Sequence, residues 1–296
     1  MATALETMTQ PALAVRVSKR RNPKHIVGYA VLAIGGVVMI APFLFMLSTS
    51  FNADARNSIP FPPQLWPAHP STDAYDYTVR SLDIWRLYGN TLLVATVDIV
   101  LSVGAAFLSG YALSKIRPPG SRIFLAVLLA TMMIPGEATL IPNFLTFSRL
   151  HLLDTYWPLW LPSMAYPFGT FLVKQYLDAL PTEMREAARV DGAGDWRILR
   201  SVYLPLCKGL AATLVILQFL ANWNSYLWPL IVINSPEKYT IQLGIASFAS
   251  TTGAQSYSSP SINMAATVLS LIPVLAVYLI FQRHIIQNVA NASIKG

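Results

Sequence analysis

The chain has 296 residues, of which 54% are hydrophobic and only 12% are charged. Soluble domains carry about 25% charged residues, so this composition excludes an ordinary soluble protein and indicates a membrane protein. The net charge of +7 does not indicate nucleic-acid binding, because basic residues of membrane proteins set orientation and contact anionic lipid. The single cysteine, Cys207, excludes an internal disulfide, and no Cys/His cluster has metal-site spacing, so we expect no metal site.

Long apolar runs with few or no charged residues follow one another along the chain, and a membrane-spanning helix needs about 20 predominantly apolar residues. They cover residues 26–47, 89–113, 123–145, 155–176, 205–233 and 263–282. The first run is longer than the apolar region of a signal peptide, about 7–15 residues, and we expect it to stay uncleaved. The sequence predicts an all-α polytopic membrane protein with six transmembrane helices. Its tails are 1–25 and 287–296, and its membrane domain is 26–286.

The basic residues indicate how the predicted helices are oriented. With six spans both termini lie on one side, where sixteen of the 21 lysines and arginines are found, against five on the other side. Cytoplasmic segments are enriched in Lys and Arg. We therefore expect cytoplasmic N- and C-termini, and a cytoplasmic loop at 178–204 between the fourth and fifth helices.

Two acidic residues, Asp98 and Glu137, lie within predicted spans. Ionisable groups inside a membrane usually face a cavity or a partner, and chains of them relay protons in pumps and transporters. One hypothesis is therefore a proton-coupled secondary transporter that uses Asp98 and Glu137. The alternative is a structural polar contact or a position lining a pathway, since Pro135, Gly136 and Pro142 interrupt the helix around Glu137.

The 178–204 loop is predicted to form a helix, a sharp turn and a second helix. Pro181 suits a first helical turn, Gly192 suits a left-handed terminating position, and Asp195 is predicted to cap the second helix. Small alanines beside charged residues would let another protein approach the first helix closely. The alternative is an amphipathic helix lying on the bilayer surface.

A polar and aromatic segment, "ANWNSYLWPL", lies within the fifth predicted span. Amide and hydroxyl groups can bond to sugar hydroxyls, and tryptophan rings offer flat apolar faces. The candidate pathway residues are Asn222, Trp223, Asn224, Ser225 and Tyr226. The alternative is packing between helices, in which Asn and Ser bond across the interface. The four histidines have no Ser or Cys partner at a recognisable spacing, so we expect no catalytic residue.

The loop resembles the signature of the inner-membrane permease subunits of ATP-binding cassette (ABC) importers. That signature is Glu-Ala-Ala, three residues, Gly, nine residues, Ile, any residue, Leu-Pro. This chain has Glu186-Ala187-Ala188, Gly192, Val202 and Leu204-Pro205 at the same spacing, with valine in place of isoleucine. The resemblance implies a coupling helix that docks on a separate ATPase through Glu186, Ala187, Ala188, Asp191 and Gly192.

Segments from Asn90 onward resemble the carbohydrate-importing branch of that family, with maltose-type six-helix subunits. The Lys-Gly ending matches that branch, whereas Asn288 and Ala292 stand where it has glycines. The resemblance implies a non-enzymatic subunit of a prokaryotic inner membrane that forms half of a pathway for a carbohydrate or related polyol. No phosphate-binding G-x-x-x-x-G-K-[ST] loop occurs, so we expect no cofactor here, with ATP and Mg bound by the ATPase.

The resemblance also implies the partners. They are an ATPase dimer, a second permease subunit in a heterodimer, an extracytoplasmic substrate-binding protein, the carbohydrate and the lipid bilayer, and nucleic acid is not among them. The implied mechanism is alternating access, in which ATP binding closes the ATPase dimer and the coupling helix passes the motion to the spans.

Overall fold

The computed structural model describes residues 23–251 and 259–293, and the side chains of residues 28–248 and 259–280. Regular structure in these ranges is helical, apart from one bridge between Asn52 and Pro70. The α-helices are α1 Pro23–Ser50, α2 Asp73–Leu82, α3 Ile84–Tyr111, α4 Ser121–Thr131, α5 Leu140–Arg149, α6 Trp157–Trp160, α7 Pro167–Asp178, α8 Glu183–Val190, α9 Asp195–Ile198, α10 Leu204–Leu206, α11 Lys208–Trp223, α12 Leu227–Val232, α13 Ile241–Thr251 and α14 Pro260–Ser293. Short 3-10 helices lie at Ala53–Arg56, Gly136–Thr139, Pro162–Met164 and Pro236–Lys238, and π-helical turns at Ala112–Ile116 and Leu199–Tyr203.

The predicted tails lie only partly within the described residues. Residues 1–22 of the predicted N-terminal tail and residues 294–296 of the predicted C-terminal tail fall outside them. Within them, α14 continues through Ser293 and so includes most of the predicted C-terminal tail. The structure forms two compact units, residues 1–45 and 46–296, and the first contains most of α1.

Three helices are long and apolar enough to cross a membrane among the described residues. They correspond to Gly28–Ser50, Ile84–Ile116 and Pro260–Ile280, with mean hydropathies of 2.5, 2.1 and 2.0. They overlap the first, second and sixth predicted spans. The prediction of an all-α polytopic membrane protein is confirmed. Two bent helix pairs would raise the number of spans to five, so the number six stays a prediction.

Proline residues explain why the third and fourth predicted spans are not single helices. A proline inside a helix removes a backbone hydrogen bond and clashes with the preceding turn. The third span bends by 98° between Ser121–Thr131 and Gly136–Arg149, where Pro135 and Gly136 lie. The fourth span is divided into α6, a 3-10 turn and α7, and each of these pieces has a proline in its first two positions.

The fifth predicted span begins earlier than its sequence boundary and is also bent. The helical segment runs from Asp195 to Leu206, turns by 84° at Cys207 and continues as α11. Pro205 precedes the bend, and Asn224 ends α11 well before residue 233. Residues 224–226 connect α11 to α12 and are therefore not inside a continuous helix.

Helix α3 lies at the centre of residues 46–296. Its C-terminal half packs with α7, α9 and α11 in a cluster that includes Phe107, Val173 and Tyr203. Its N-terminal half packs with α11 and α13 in a second cluster, which includes Leu87 and Ile241. The 178–204 loop therefore lies at the carboxyl end of α3. Residues 237–239 lie near its amino end, because Asn90 Nδ2 donates to the carbonyls of Glu237 and Tyr239 at 2.8 and 2.9 Å.

Candidate functional site

The first helix of the 178–204 loop is α8, and its ends form as the sequence predicts. Glu183 and Glu186 lie in its first turn, where carboxylates interact favourably with the helix dipole. Gly192 follows the helix with φ of +77°, the left-handed conformation that favours glycine. The helix, sharp turn and helix of this loop are thus present in the structure.

Asp195 does not cap the second helix, which corrects the sequence interpretation. Gly194 is the N-cap, and Asp195 is the first residue of α9 without a capping hydrogen bond. Its carboxylate instead accepts from Arg185 Nη2 at 2.9 Å, Arg189 Nη2 at 3.0 Å and the Tyr111 hydroxyl at 2.9 Å. Two arginines on α8 attract the carboxylate away from the backbone, because charged partners form stronger hydrogen bonds. These four residues, the Asp195 cluster, join α8 and α9 to the last turn of α3.

A second set of contacts fixes the chain that leads into α8. Ser114 Oγ donates to Asp178 Oδ1 at 2.6 Å, and the buried Lys115 ammonium donates to the Leu180 carbonyl at 2.7 Å. Lys174 pairs with the other oxygen of Asp178. Both donors from the α3 side lie in the π-helical turn that follows α3. The loop is therefore attached to the end of α3 on both sides of α8.

The predicted docking residues differ in their exposure. Glu186, Ala187, Asp191 and Gly192 are exposed, whereas Ala188 is half-buried and packs on the cluster around Phe107. Val190 is 88% exposed, a large apolar exposure at the end of a short charged helix. The outward face of α8 therefore combines small, acidic and apolar side chains. The inward face is held by the Asp195 cluster.

The five candidate pathway residues lie in different environments. Trp223 is fully buried, stacks on Phe219 at 5.4 Å between ring centroids and donates from Nε1 to the Ser270 carbonyl at 3.0 Å. Asn222 is half-buried, and its Nδ2 donates to Asp98 Oδ2 at 2.6 Å. The contacts of Trp223 match the packing alternative.

The other three candidates line an open cleft of about 540 Å³. Asn224, Ser225 and Tyr226 form one wall, and Glu137 and Asn143 belong to the opposite one. Trp228 also lines this cleft, and its Nε1 donates to the Pro158 carbonyl at 2.8 Å. The cleft combines amides, hydroxyls, aromatic rings and one carboxylate, which is a suitable set for a hydroxylated ligand.

Asp98 and Glu137 lie in different environments. Asp98 is 1% exposed, and its Oδ2 accepts from Asn222 and from Gln218 Nε2 at 3.2 Å. Glu137 is exposed on the wall of the cleft. Among the described residues, no hydrogen bond or ion pair connects the two carboxylates. The arrangement of Asp98 is that of a buried polar contact between α3 and α11.

Asp154 is a residue of interest that sequence reasoning missed. Its carboxylate accepts from the backbone N–H groups of Asn234 and Ser235 at 3.0 and 2.8 Å, from Ser235 Oγ, and from Lys238 Nζ at 3.1 Å. These hydrogen bonds, chiefly those from Ser235, hold the pKa of the Asp154 carboxyl well below its usual value. No sequence pattern predicts this pairing, because about 80 residues separate its two sides.

Comparison with known proteins identifies relatives along most of the chain. The lactose transport system permease protein LacG of Rhizobium radiobacter is 32% identical over 92% of this chain and 97% of that protein. The arabinooligosaccharides transport system permease protein AraQ of Halalkalibacterium halodurans is 30% identical over 91% and 95%. The sn-glycerol-3-phosphate transport system permease protein UgpE of Rhizobium meliloti is 32% identical over 92% and 98%.

A solved structure shares the fold. It is the crystal structure of a bacterial ABC transporter involved in the import of the acidic polysaccharide alginate. One of its chains matches with a TM-score of 0.76 and 28% identity, over 88% of this chain and 96% of that chain. Residues 98–291 match the family model described as binding-protein-dependent transport system inner membrane component. The chain therefore belongs to that family of inner-membrane transport components.

Proposed function

We propose that this chain is the permease subunit that forms half of the translocation pathway of an ATP-driven importer for a carbohydrate or related polyol. The named relatives are permeases for lactose, arabinooligosaccharides and sn-glycerol-3-phosphate. The neutral polar and aromatic residues of the cleft support a hydroxylated cargo. Family membership gives no support to the proton-coupled alternative, which the separate environments of Asp98 and Glu137 also disfavour.

The observation that carries this proposal is the way α8 is held. Its outward face leaves Glu186, Ala187 and Val190 free to contact another protein. Its inward face is joined through Asp195 to Tyr111 at the end of α3. A displacement of α8 by an ATPase would therefore reach the central helix through hydrogen bonds and ion pairs rather than through a flexible loop.

The remaining partners follow from this role. An ATPase dimer binds ATP and Mg and docks on Glu186, Ala187, Ala188, Asp191 and Gly192, with Ala188 supporting the helix from its inner side. A second permease subunit completes the pathway as a heterodimer, and an extracytoplasmic binding protein delivers the cargo. Both termini are cytoplasmic, as the distribution of basic residues predicts. ATP drives the cycle because the ATPase binds nucleotide more tightly in one of its conformations.

Docking is tested by reversing a charge on α8. We expect Glu186→Lys to reduce the amount of ATPase retained on the purified membrane subunit by about tenfold or more. The reason is that a partner surface complementary to Glu186 would meet a like charge in the lysine, which is costly at an interface. Glu237→Lys is the matched control, because it makes the same charge change in a loop near the other end of α3. Equal ATPase retention by Glu186→Lys and the unaltered protein would refute the docking role.

The pathway is tested by a pair of substitutions in neighbouring residues. Asn224→Ala should change the KM or rate of uptake in reconstituted vesicles while leaving stability within about 0.5 kcal/mol. Trp223→Ala should instead destabilise the protein by about 3–5 kcal/mol, because it empties a fully buried site. Asn57→Ala, at an exposed position in another loop, is the control for uptake. Unchanged uptake kinetics with Asn224→Ala would remove the cleft from the pathway.

A further inference from the structure

An apolar groove of about 400 Å³ lies between the C-terminal half of α3 and the α9–α11 segment. One wall is formed by residues of α3 between 103 and 108, and the other by residues between Trp196 and Ala211. We call this space the α3–α11 groove. A volume of a few hundred Å³ is typical of small-molecule sites. The groove is distinct from the cleft at Asn224 and shares no residue with it.

Small residues create the groove. Gly104 on α3 has no heavy atom within 4 Å of the position that a Cβ would occupy, and Ala211 lies on the α11 side. Gly110, two turns further along α3, shows the contrast, because a Cβ there would lie 2.6 Å from Val173 Cγ1. Helix α3 is thus closely packed against α7 at Gly110, whereas its surface is open at Gly104.

The mouth of the groove carries an arginine without an acidic partner. Trp196, Arg200 and Leu204 lie on one face of the α9–α10 segment, and Arg200 is the charged residue of the lining. No acidic side chain lies within ion-pairing distance of Arg200 among the described residues, whereas Arg185 and Arg189 both pair with Asp195. Residues 196–236 contain Arg197, Arg200 and Lys208 and no acidic residue. The mouth therefore attracts an anion.

The position of the groove indicates that the anion is a lipid headgroup. Residues 103–108 precede Tyr111 by three to eight residues, so the groove lies about 5–12 Å along α3 from the coupling loop. Trp196 is 65% exposed, and tryptophan is favoured at the membrane–water interface. An apolar groove that opens beside a tryptophan and an unpaired arginine is suited to a lipid. The acyl chain would lie in the groove, and the anionic headgroup would contact the arginine.

We propose that the α3–α11 groove binds an anionic phospholipid, with an acyl chain against Gly104 and Ala211 and the phosphate at the Arg200 guanidinium. The bound lipid fills the space between α3 and α11 beside the coupling loop. This role is separate from transport, and its test measures lipid directly, so its failure would leave the proposed function untouched.

Native mass spectrometry of the full chain with its co-purified subunits tests the headgroup contact. We expect dioleoyl phosphatidylglycerol to remain bound in preference to dioleoyl phosphatidylcholine. Arg200→Gln should weaken phosphatidylglycerol binding by about fivefold. Arg122→Gln is the matched control, since Arg122 is exposed on α4 and does not line the groove. Equal binding of the two lipids, or equal effects of the two substitutions, would overturn the proposal.

A second pair of variants tests the acyl-chain position. Gly104→Leu should fill the groove and remove both lipids from it, whereas Gly89→Leu makes the same change on α3 at another open position. If Gly104→Leu fails to fold, acyl-brominated phosphatidylglycerol should quench Trp196 fluorescence, measured as the difference between the unaltered protein and Trp196→Phe. Undiminished lipid binding by folded Gly104→Leu, no quenching of Trp196, or a crosslink placing the second permease subunit in the groove would refute the site.

Discussion

The carboxylate clusters that lie near the two ends of α3 are built in different ways. At the carboxyl end, Asp195 binds two arginine side chains and a tyrosine hydroxyl. Near the amino end, Asp154 binds backbone N–H groups of residues 234 and 235 together with Ser235 Oγ and Lys238, which we call the Asp154 cluster. Asn90 and Tyr111 mark these ends, about 30 Å apart at the rise of an α-helix.

The two kinds of bonding suit the two ends of α3 to different degrees of movement. Asp195 binds side chains of α8 and of the end of α3, so these bonds pass a displacement of α8 on to Tyr111. Backbone donors have fixed positions, so the Asp154 cluster holds residues 154 and 232–238 in one geometry. We infer that the end of α3 near the 178–204 loop is the one that moves and that the other end acts as a rigid support. Four substitutions or conditions test this contrast.

Asp154→Ala should have a large effect on global stability. The substitution leaves the backbone N–H groups of Asn234 and Ser235 without their acceptor and removes the ion pair with Lys238, which costs about 2–3 kcal/mol. Thermal unfolding of the purified protein measures this as a lowered Tm. Asp83→Ala is the control, because the Asp83 carboxylate is 54% exposed and pairs only loosely with Arg86 at 3.4 Å. A similar Tm for both variants would contradict the rigid-support role.

Gly110→Ala should destabilise the protein by about 1–3 kcal/mol, through crowding between α3 and α7. A Cβ at this position would lie 2.6 Å from Val173 Cγ1 and 3.1 Å from the backbone nitrogen of Lys174. For one end of α3 to move against a fixed other end, the helix must be packed closely against its neighbours. Gly89→Ala, also on α3, is the control, since its Cβ meets open space. If Gly110→Ala and Gly89→Ala had the same Tm, α3 and α7 would not be in close contact at Gly110 in the membrane.

Asp195→Asn should act locally. Loss of the charge weakens the hydrogen bonds from Arg185 and Arg189, and we expect backbone amides of residues 183–190 to exchange about tenfold faster, equivalent to about 1.4 kcal/mol. The Tm should change little, because the bonds lie at the edge of the fold. Hydrogen–deuterium exchange measures the effect, with Asp191→Asn as an exposed control. Unchanged exchange in Asp195→Asn would show that the cluster does not hold α8.

Local signals made much of the fold and the coupling loop predictable from sequence. Long apolar runs predicted α1, α3 and α14, and Gly192 predicted the end of α8. Prolines at 158, 162 and 167 were visible in the sequence, but hydropathy alone does not show that they divide the fourth predicted span. Composition indicates which segments enter the membrane, but Pro42 in α1 and Pro273 in α14 show that a proline does not always divide a helix.

Contacts between distant segments were not predictable. Asp195 has the residue type and position of a helix cap, yet Arg185 and Arg189 bind it once α8 folds beside α9. Trp223 and Asn224 are neighbours in sequence, and the end of α11 at residue 224 sends one into the core and the other to the cleft. A single sequence shows neither which face of a helix is buried nor which side chains compete for a carboxylate.

Acidification should weaken the Asp154 cluster only at low pH. Hydrogen bonds from Ser235 favour the ionised form and hold the pKa of the Asp154 carboxyl below its usual value of about 3.9. The cluster therefore contributes its full stability above about pH 4 and loses it as the pH falls further, toward the folded-state pKa. The Tm difference between the unaltered protein and Asp154→Ala should be constant from pH 7 to 5 and shrink below pH 4. In Ser235→Ala, which removes one of those donors, the corresponding difference from the double variant with Asp154→Ala should be smaller at pH 7 and should stop shrinking at a higher pH, because the folded-state pKa then lies closer to the unfolded value. A difference that shrinks already between pH 7 and 5 in the unaltered protein would show that these donors do not hold the carboxylate.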